Sequence, residues 1–178
     1  MNWVYTGRCW KFGDNLAVDA DLTKKEFASA RELRLEVLRE YCMVGVDPEF
    51  AKKAKPHDII VAGKRFAQGN PHIQGLLGIR GLELGLVVES IPRGSFRNAI
   101  NAGLPFITHA AGVTRECDTG DELRVNFETG LFENLTRGTH RQYTPLDKAL
   151  LETIAIGGWK PAVAKRIAEM KQQRRVPA

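Results

Sequence analysis

Three short apolar runs constrain this 178-residue chain more than anything else in it: Asp58-Ile59-Ile60-Val61-Ala62, Leu86-Val87-Val88-Glu89 and Pro105-Phe106-Ile107-Thr108. Each is too short for an ordinary helix and rich in β-branched residues, so each reads as a strand, the first two buried. The segments between them carry turn and helix signals. Gly63 to Gly69 reads as a loop, and Pro71 to Leu82 as a helix beginning where proline is tolerated. Ser95 to Ala102 reads as a short helix stopped by Gly103. In the Pro71–Leu82 segment Gly75, Gly78 and Gly81 recur every three residues. Each costs a helix about 0.5–1 kcal/mol relative to alanine, which only close backbone packing would offset.

Upstream, Val4 to Phe12 reads as a strand followed by a turn at Gly13-Asp14-Asn15. Lys24 to Cys42 reads as one helix, because Leu33, Val37 and Tyr41 sit four apart and Phe27 and Ala30 extend the apolar side. From Gly120 to Pro145, alternating residues and turn glycines (Gly130, Gly138) predict antiparallel hairpins. Leu146 to Ile156 and Pro161 to Gln172 close the chain as two helices around Gly157-Gly158. Strand–helix–strand units followed by hairpins give an α/β fold, a single layered domain over residues 1–178, with residues 159–178 as a C-terminal helix and basic tail.

Composition removes several function classes. No stretch approaches the roughly 18 apolar residues of a membrane span, and the most apolar segment, Leu76 to Val88, is broken by Arg80 and Glu83. The N-terminal residues lack a basic region leading into a long apolar one, so the cytoplasm is the expected compartment. Cys9, Cys42 and Cys117 are odd in number and far apart in sequence, which suggests isolated buried thiols rather than a disulfide framework. Without a Cys-x-x-Cys pair the chain does not supply a standard iron–sulfur ligand set, and His57, His109 and His140 share no metal spacing. The net charge of +5 comes partly from the tail Lys165-Arg166…Lys171…Arg174-Arg175. That tail has no interleaved aromatics, which argues against nucleic acid; a positive field also suits small carboxylates or an acidic partner chain.

Longer strings carry a resemblance. Trp10-Lys11-Phe12-Gly13-Asp14-Asn15, Val46-Asp47-Pro48-Glu49-Phe50 and Asp58-Ile59-Ile60-Val61-Ala62-Gly63-Lys64-Arg65-Phe66 come first. Glu89-Ser90-Ile91-Pro92-Arg93, Phe96-Arg97-Asn98-Ala99-Ile100-Asn101 and Gly103-Leu104-Pro105 follow. Gly120-Asp121-Glu122-Leu123, Glu128-Thr129-Gly130 and Asn134-Leu135-Thr136 complete the series. In this order and spacing, from about Gly7 to about Gly158, the chain resembles the isopropylmalate dehydratase small subunit and the matching swivel domain of aconitases. The resemblance implies a β/β/α swivel domain that binds no cofactor itself. It also implies a large partner chain with a [4Fe–4S] cluster, paired as a heterodimer or heterotetramer. In that family the open iron is a Lewis acid for the substrate hydroxyl and carboxylate, and the swivel domain supplies the base.

The loop that carries this chemistry departs from the family. The pattern Gly-Cys-Gly-Ser-Ser-Arg-Glu-His is replaced by Ala67-Gln68-Gly69-Asn70-Pro71-His72-Ile73-Gln74. The family's basic serine becomes Asn70, its second serine Pro71, and its carboxylate-gripping arginine His72, while Gly69 is kept. An amide is no general base near neutral pH. Three readings stay open. His72 replaces the base or contacts a carboxylate, since imidazole titrates near neutrality; a base comes from the partner chain; or the domain binds a carboxylate or a partner without chemistry of its own.

Arg93 and Arg97 follow the family's Arg-x-x-Phe-Arg-Asn pattern, so one lines the cleft and the other pairs to hold its helix, or both brace the fold. Ser90 is a site hydroxyl or a turn hydroxyl. Asp19 matches the aspartate of a Thr-Asp pair near the substrate, although Val18 replaces the threonine; the other reading is an Asx-turn. Thr23 to Glu40 lacks the family's Pro-x-Arg-Tyr-Leu element, which blurs the substrate.

Overall fold

The computed structural model describes residues 1–173. Seven strands, β1 (Val4–Lys11), β2 (Ile59–Ala62), β3 (Gly85–Val88), β4 (Phe106–Ile107), β5 (Glu122–Asn126), β6 (Leu131–Asn134) and β7 (Thr139–Gln142), form one sheet in the order β4-β3-β2-β1-β5-β6-β7. β1 is the seam. It pairs in parallel with β2, Cys9 opposite Ile59, and antiparallel with β5, Tyr5 opposite Val125. β2 and β3 are buried at every residue, as parallel strands covered on both faces require. β5 and β6 alternate buried and more exposed positions, whereas β7 is exposed throughout, a polar edge strand of Thr139, His140, Arg141 and Gln142.

The helices are α1 (Lys25–Ser29), α2 (Leu35–Leu38), α3 (Phe50–Lys53), α4 (Gln74–Gly81), α5 (Arg93–Ala102), α6 (Val113–Glu116), α7 (Lys148–Ala155) and α8 (Trp159–Gln173). Alternation along the strands sends Ile60, Ala62, Leu86 and Val88 into one core with Leu76, Ile79, Ala99 and Ile154 of the helices. Ile59, Val61 and Val87 enter a second core on the opposite face, against Val113, Leu123, Phe127 and Phe132.

The glycines of α4 have their explanation in packing. A Cβ at Gly75 would stand 2.7 Å from Leu22 Cβ, one at Gly78 3.0 Å from the Leu38 carbonyl, and one at Gly81 2.9 Å from the Leu35 carbonyl. The helix therefore lies directly on the backbone of the 35–42 segment.

Three sequence expectations are corrected. Lys24 to Cys42 is not one helix: the chain reverses at Arg31, in the left-handed region at φ 52, and resumes as α2 and a 3-10 turn, Arg39–Tyr41. The Glu32 carboxylate accepts the Leu33 and Arg34 backbone N–H groups, both at 2.9 Å, and so caps the break. The four-residue spacing misled because Leu33 is 45% exposed while Leu38 and Cys42 fill the core. The second correction concerns the thiols. All three are buried, but Cys9 and Cys117 lie with sulfurs 3.4 Å apart. Cys9 N–H donates to the Asp121 carbonyl at 2.8 Å and Gly120 N–H to the Cys9 carbonyl at 2.9 Å, which brings residues 108 apart into contact.

The helix expected from Pro71 begins only at Gln74, which leaves Asn70 to Ile73 as a bent segment. The C-terminal helix forms as α8, with Lys165, Arg166 and Lys171 exposed; Arg174-Arg175 of the expected basic tail lie outside the described residues. Among the described residues no helix is long and apolar enough to cross a membrane.

Candidate functional site

The loops leaving the carboxyl ends of β1, β2 and β3 meet on one side of the sheet, where open α/β sheets ordinarily place ligands. The β1 loop runs to a π-helical turn, Val18–Leu22, pinned by the buried Val18 and Leu22. The β2 loop holds residues 63–73. The two loops are laced together: Lys64 N–H donates to Asp14 Oδ1 at 2.7 Å, and Asn15 N–H to the Lys64 carbonyl at 2.7 Å. Gln68 N–H donates to the Leu16 carbonyl at 2.8 Å, Val18 N–H to the Gln68 carbonyl at 3.0 Å, and Gln68 Nε2 to the Asn15 carbonyl at 2.6 Å.

Bracing also comes from below. The Ser90 hydroxyl oxygen accepts Arg65 N–H at 2.9 Å, so Ser90 acts as a loop brace. The buried Ser95 hydroxyl donates to the Ala67 carbonyl at 2.6 Å. Asn98 Nδ2 donates to the Pro71 carbonyl, and Pro71 presses on Gly94, where a Cβ would sit 2.7 Å from the proline Cβ. The loop thus lies across the first turns of α5. Ala67 holds φ 58 and Gly69 φ 97. Left-handed backbone costs a residue with a Cβ about 1–2 kcal/mol, and the family's pattern carries glycine where Ala67 stands.

On this scaffold the structure brings together three of the sequence candidates. His72 Nδ1 lies 2.7 Å from Asp19 Oδ2 and 2.9 Å from Oδ1, and His72 Nε2 lies 3.2 Å from Asn70 Nδ2. The pair is partly sheltered, with side-chain exposures of 36% for His72 and 21% for Asp19. Gly69, Asn70 and Pro71 are exposed, so the loop presents an open face rather than an enclosed pocket. Arg93 and Arg97 stand one turn apart on α5, both exposed, and neither forms a salt bridge among the described residues. An open groove of about 440 Å³, lined by Leu33, Leu35, Leu77 and Trp159 among others, reaches the site at Ile73.

The remaining candidates lie apart. His57 stacks on Tyr5 with ring centroids 4.5 Å apart, and His140 is on the edge strand β7. Among the described residues, no three His, Cys, Asp or Glu side chains gather as a metal-ion set. The bracing roles of Asp14, Gln68, Ser95 and Asn98 escaped sequence reasoning. Asp14 and Asn98 stand inside the strings that carry the resemblance, which is the only signal that marked them.

Comparison with known proteins gives a consistent result. No protein-family model matches the chain. It is 40% identical over 170 residues to the isopropylmalate/citramalate isomerase small subunit of Methanocaldococcus jannaschii, covering 95% of this chain and 99% of that one. It is 38% identical over 154 residues to the 3-isopropylmalate dehydratase small subunit 1 of Thermotoga maritima, with 85% and 90% covered. The methanogen homoaconitase small subunit of Methanothermobacter thermautotrophicus is 33% identical over 159 residues, with 89% of each chain covered. The crystal structure of 3-isopropylmalate dehydratase (leuD) from Methanocaldococcus jannaschii superposes with a TM-score of 0.85 at 28% identity, covering 96% of this chain and 99% of that one. The α/β swivel fold is therefore confirmed, its β layers being parts of one curled seven-stranded sheet. These relatives are small subunits of hydro-lyases, and the chain belongs to the 3-isopropylmalate dehydratase small-subunit family.

Proposed function

We propose that this chain is the lid of an aconitase-type hydro-lyase of the cytoplasm. Acting as one swivel domain, it closes over a small hydroxy-di- or tricarboxylic acid in a cleft shared with a large subunit. The relatives' names support the pairing, since they are small subunits of isomerases and dehydratases. A [4Fe–4S] cluster belongs to that large subunit. This chain's residues do not fit one: Cys9 and Cys117 face each other in the core, and Cys42 is buried apart from them as a thiol that burial pushes above its ordinary range.

The observation that carries the chemistry is the Asp19–His72–Asn70 chain on an exposed loop at the carboxyl ends of β1 and β2. His72 takes the proton from the carbon next to the hydroxyl-bearing one, the step that Asn70 cannot perform. Asn70 contacts the imidazole, while Gly69 and Pro71 shape the backbone beside the substrate. Arg93 and Arg97, exposed on the helix beneath the loop, supply the cationic charge for substrate carboxylates that the family's arginine supplies elsewhere. A swivel domain that binds without chemistry is the less favoured reading, because the relatives are named as enzyme subunits.

The test is turnover of the chain co-expressed with its large subunit, followed by absorbance of the unsaturated acid. His72→Ala lowers kcat at least about 100-fold, the low end of general-base contributions. Unchanged turnover in His72→Ala excludes it as the base, and a gain of turnover in Asn70→Ser carrying His72→Ala shows that the serine route has been restored instead.

A further inference from the structure

The contact between Asp19 and His72 joins two loops and fixes which nitrogen of the imidazole is basic. Asp19 belongs to a turn whose neighbours Val18 and Leu22 are 1% and 0% exposed, and Val18 N–H is bonded to the Gln68 carbonyl at 3.0 Å. The carboxylate is therefore held in place relative to the loop that bears the histidine. On the other side, His72 N–H closes a tight turn on the Asn70 carbonyl at 2.7 Å, and the Pro71 carbonyl is held by Asn98. Both Asp19 oxygens lie within 2.9 Å of Nδ1, and a carboxylate oxygen only accepts. The nitrogen bonded to it must carry the proton, since the partner of one ring nitrogen decides the state of the other.

Building on the reading of His72 as base, we propose that Asp19 is a positioning residue that keeps neutral His72 protonated at Nδ1, which leaves Nε2 as the basic atom. At rest the Nε2 lone pair accepts from the Asn70 amide at 3.2 Å, on the exposed side of the loop. In the reaction the substrate C–H proton passes to Nε2, and the C–H electron pair becomes the second bond of the new double bond. The hydroxyl departs with the electron pair of the broken C–O bond and takes a proton from solvent to become water, while the proton on Nε2 returns to solvent before the next turnover. The imidazolium so formed donates from both nitrogens, with Asp19 stabilising the charge at Nδ1. Asp19 itself touches no reacting atom.

Nitrogen-15 spectra of the full-length chain, recorded at alkaline pH on the neutral ring, test the assignment without any partner. The expected result is a protonated Nδ1 and an unprotonated Nε2 for His72, and loss of that pattern in Asp19→Asn. A wild-type ring protonated at Nε2, or an unaltered pattern in Asp19→Asn, overturns the inference. In the reconstituted pair, Asp19→Asn lowers kcat about 100-fold or more with little change in KM, as loss of a tautomer-setting carboxylate does elsewhere. Asp19→Glu restores part of the rate. A raised KM with unchanged kcat overturns the inference by making Asp19 a substrate contact. Full turnover in His72→Ala removes the base reading alone and leaves the tautomer result standing, so the two failures are distinguishable.

Discussion

Asp58 provides the sharpest test of how the scaffold is built. It is 5% exposed and receives three donors: Arg8 N–H on Oδ1 at 2.9 Å, and Trp10 Nε1 at 2.9 Å and Lys55 N–H at 3.0 Å on Oδ2. The three bonds fasten β1 to the turn that precedes β2, and the loops carrying Asp19 and His72 leave from the carboxyl ends of those strands. Asp58→Asn retains one acceptor oxygen and turns an N–H₂ group toward a donor. One partly buried donor is then orphaned, at about 1–3 kcal/mol, and the two surviving bonds fall from charge-assisted to neutral strength, about 1 kcal/mol each. The sum is about 4 kcal/mol. For a chain of this size that corresponds to a fall in Tm of about 8–16 °C. Urea denaturation followed by tryptophan fluorescence reads it directly, with a red-shift from Trp10 as β1 loosens. A loss below about 1 kcal/mol refutes the reasoning, since the carboxylate would then not be holding the strands together.

Two further predictions concern packing and pH. Gly75→Ala, which stabilises an ordinary helix by about 1 kcal/mol, destabilises this protein because the new Cβ meets Leu22 Cβ at 2.7 Å; a raised Tm contradicts the close packing of α4. Burial, aided by the Glu116 charge, pushes the Tyr143 phenol from 10.0 up to about 12. The folded state therefore holds this proton more tightly than the unfolded chain, so its contribution to stability is full below pH 10.0 and is lost as pH rises toward about 12. Tyr143→Phe flattens that decline relative to wild type in denaturation at stepped pH, and an identical decline in both proteins contradicts the assignment.

The parts of the fold legible in sequence are those fixed by local pattern. The runs Asp58–Ala62 and Leu86–Glu89 read as buried strands because short β-branched runs suit a sheet covered on both faces, and they form β2 and β3; the 120–145 alternation yields the hairpins β5 to β7. The 24–42 segment was not legible, because an apolar spacing of four does not reveal that Leu33 faces solvent and Arg31 reverses the chain. The glycine repeat of α4 announced a close approach without naming its partner, which lies more than 30 residues away in the chain. At the site, Gly69 to His72 and Asp19 stood out through the resemblance alone, because no local rule marks a histidine after proline as reactive. That Asp19 grips His72 across 53 residues, and that Ser95 and Asn98 hold the loop from α5, are products of the sheet's topology.

The most direct measurement is hydration and dehydration of hydroxy-di- and tricarboxylic acids by this chain alone, by its large subunit alone, and by the two purified as a complex. Turnover by the complex only, lost in His72→Ala with the complex intact, is the outcome that a lid bearing the base requires. A chain that forms no complex with the large subunit, or a large subunit equally active without it, contradicts the proposed role.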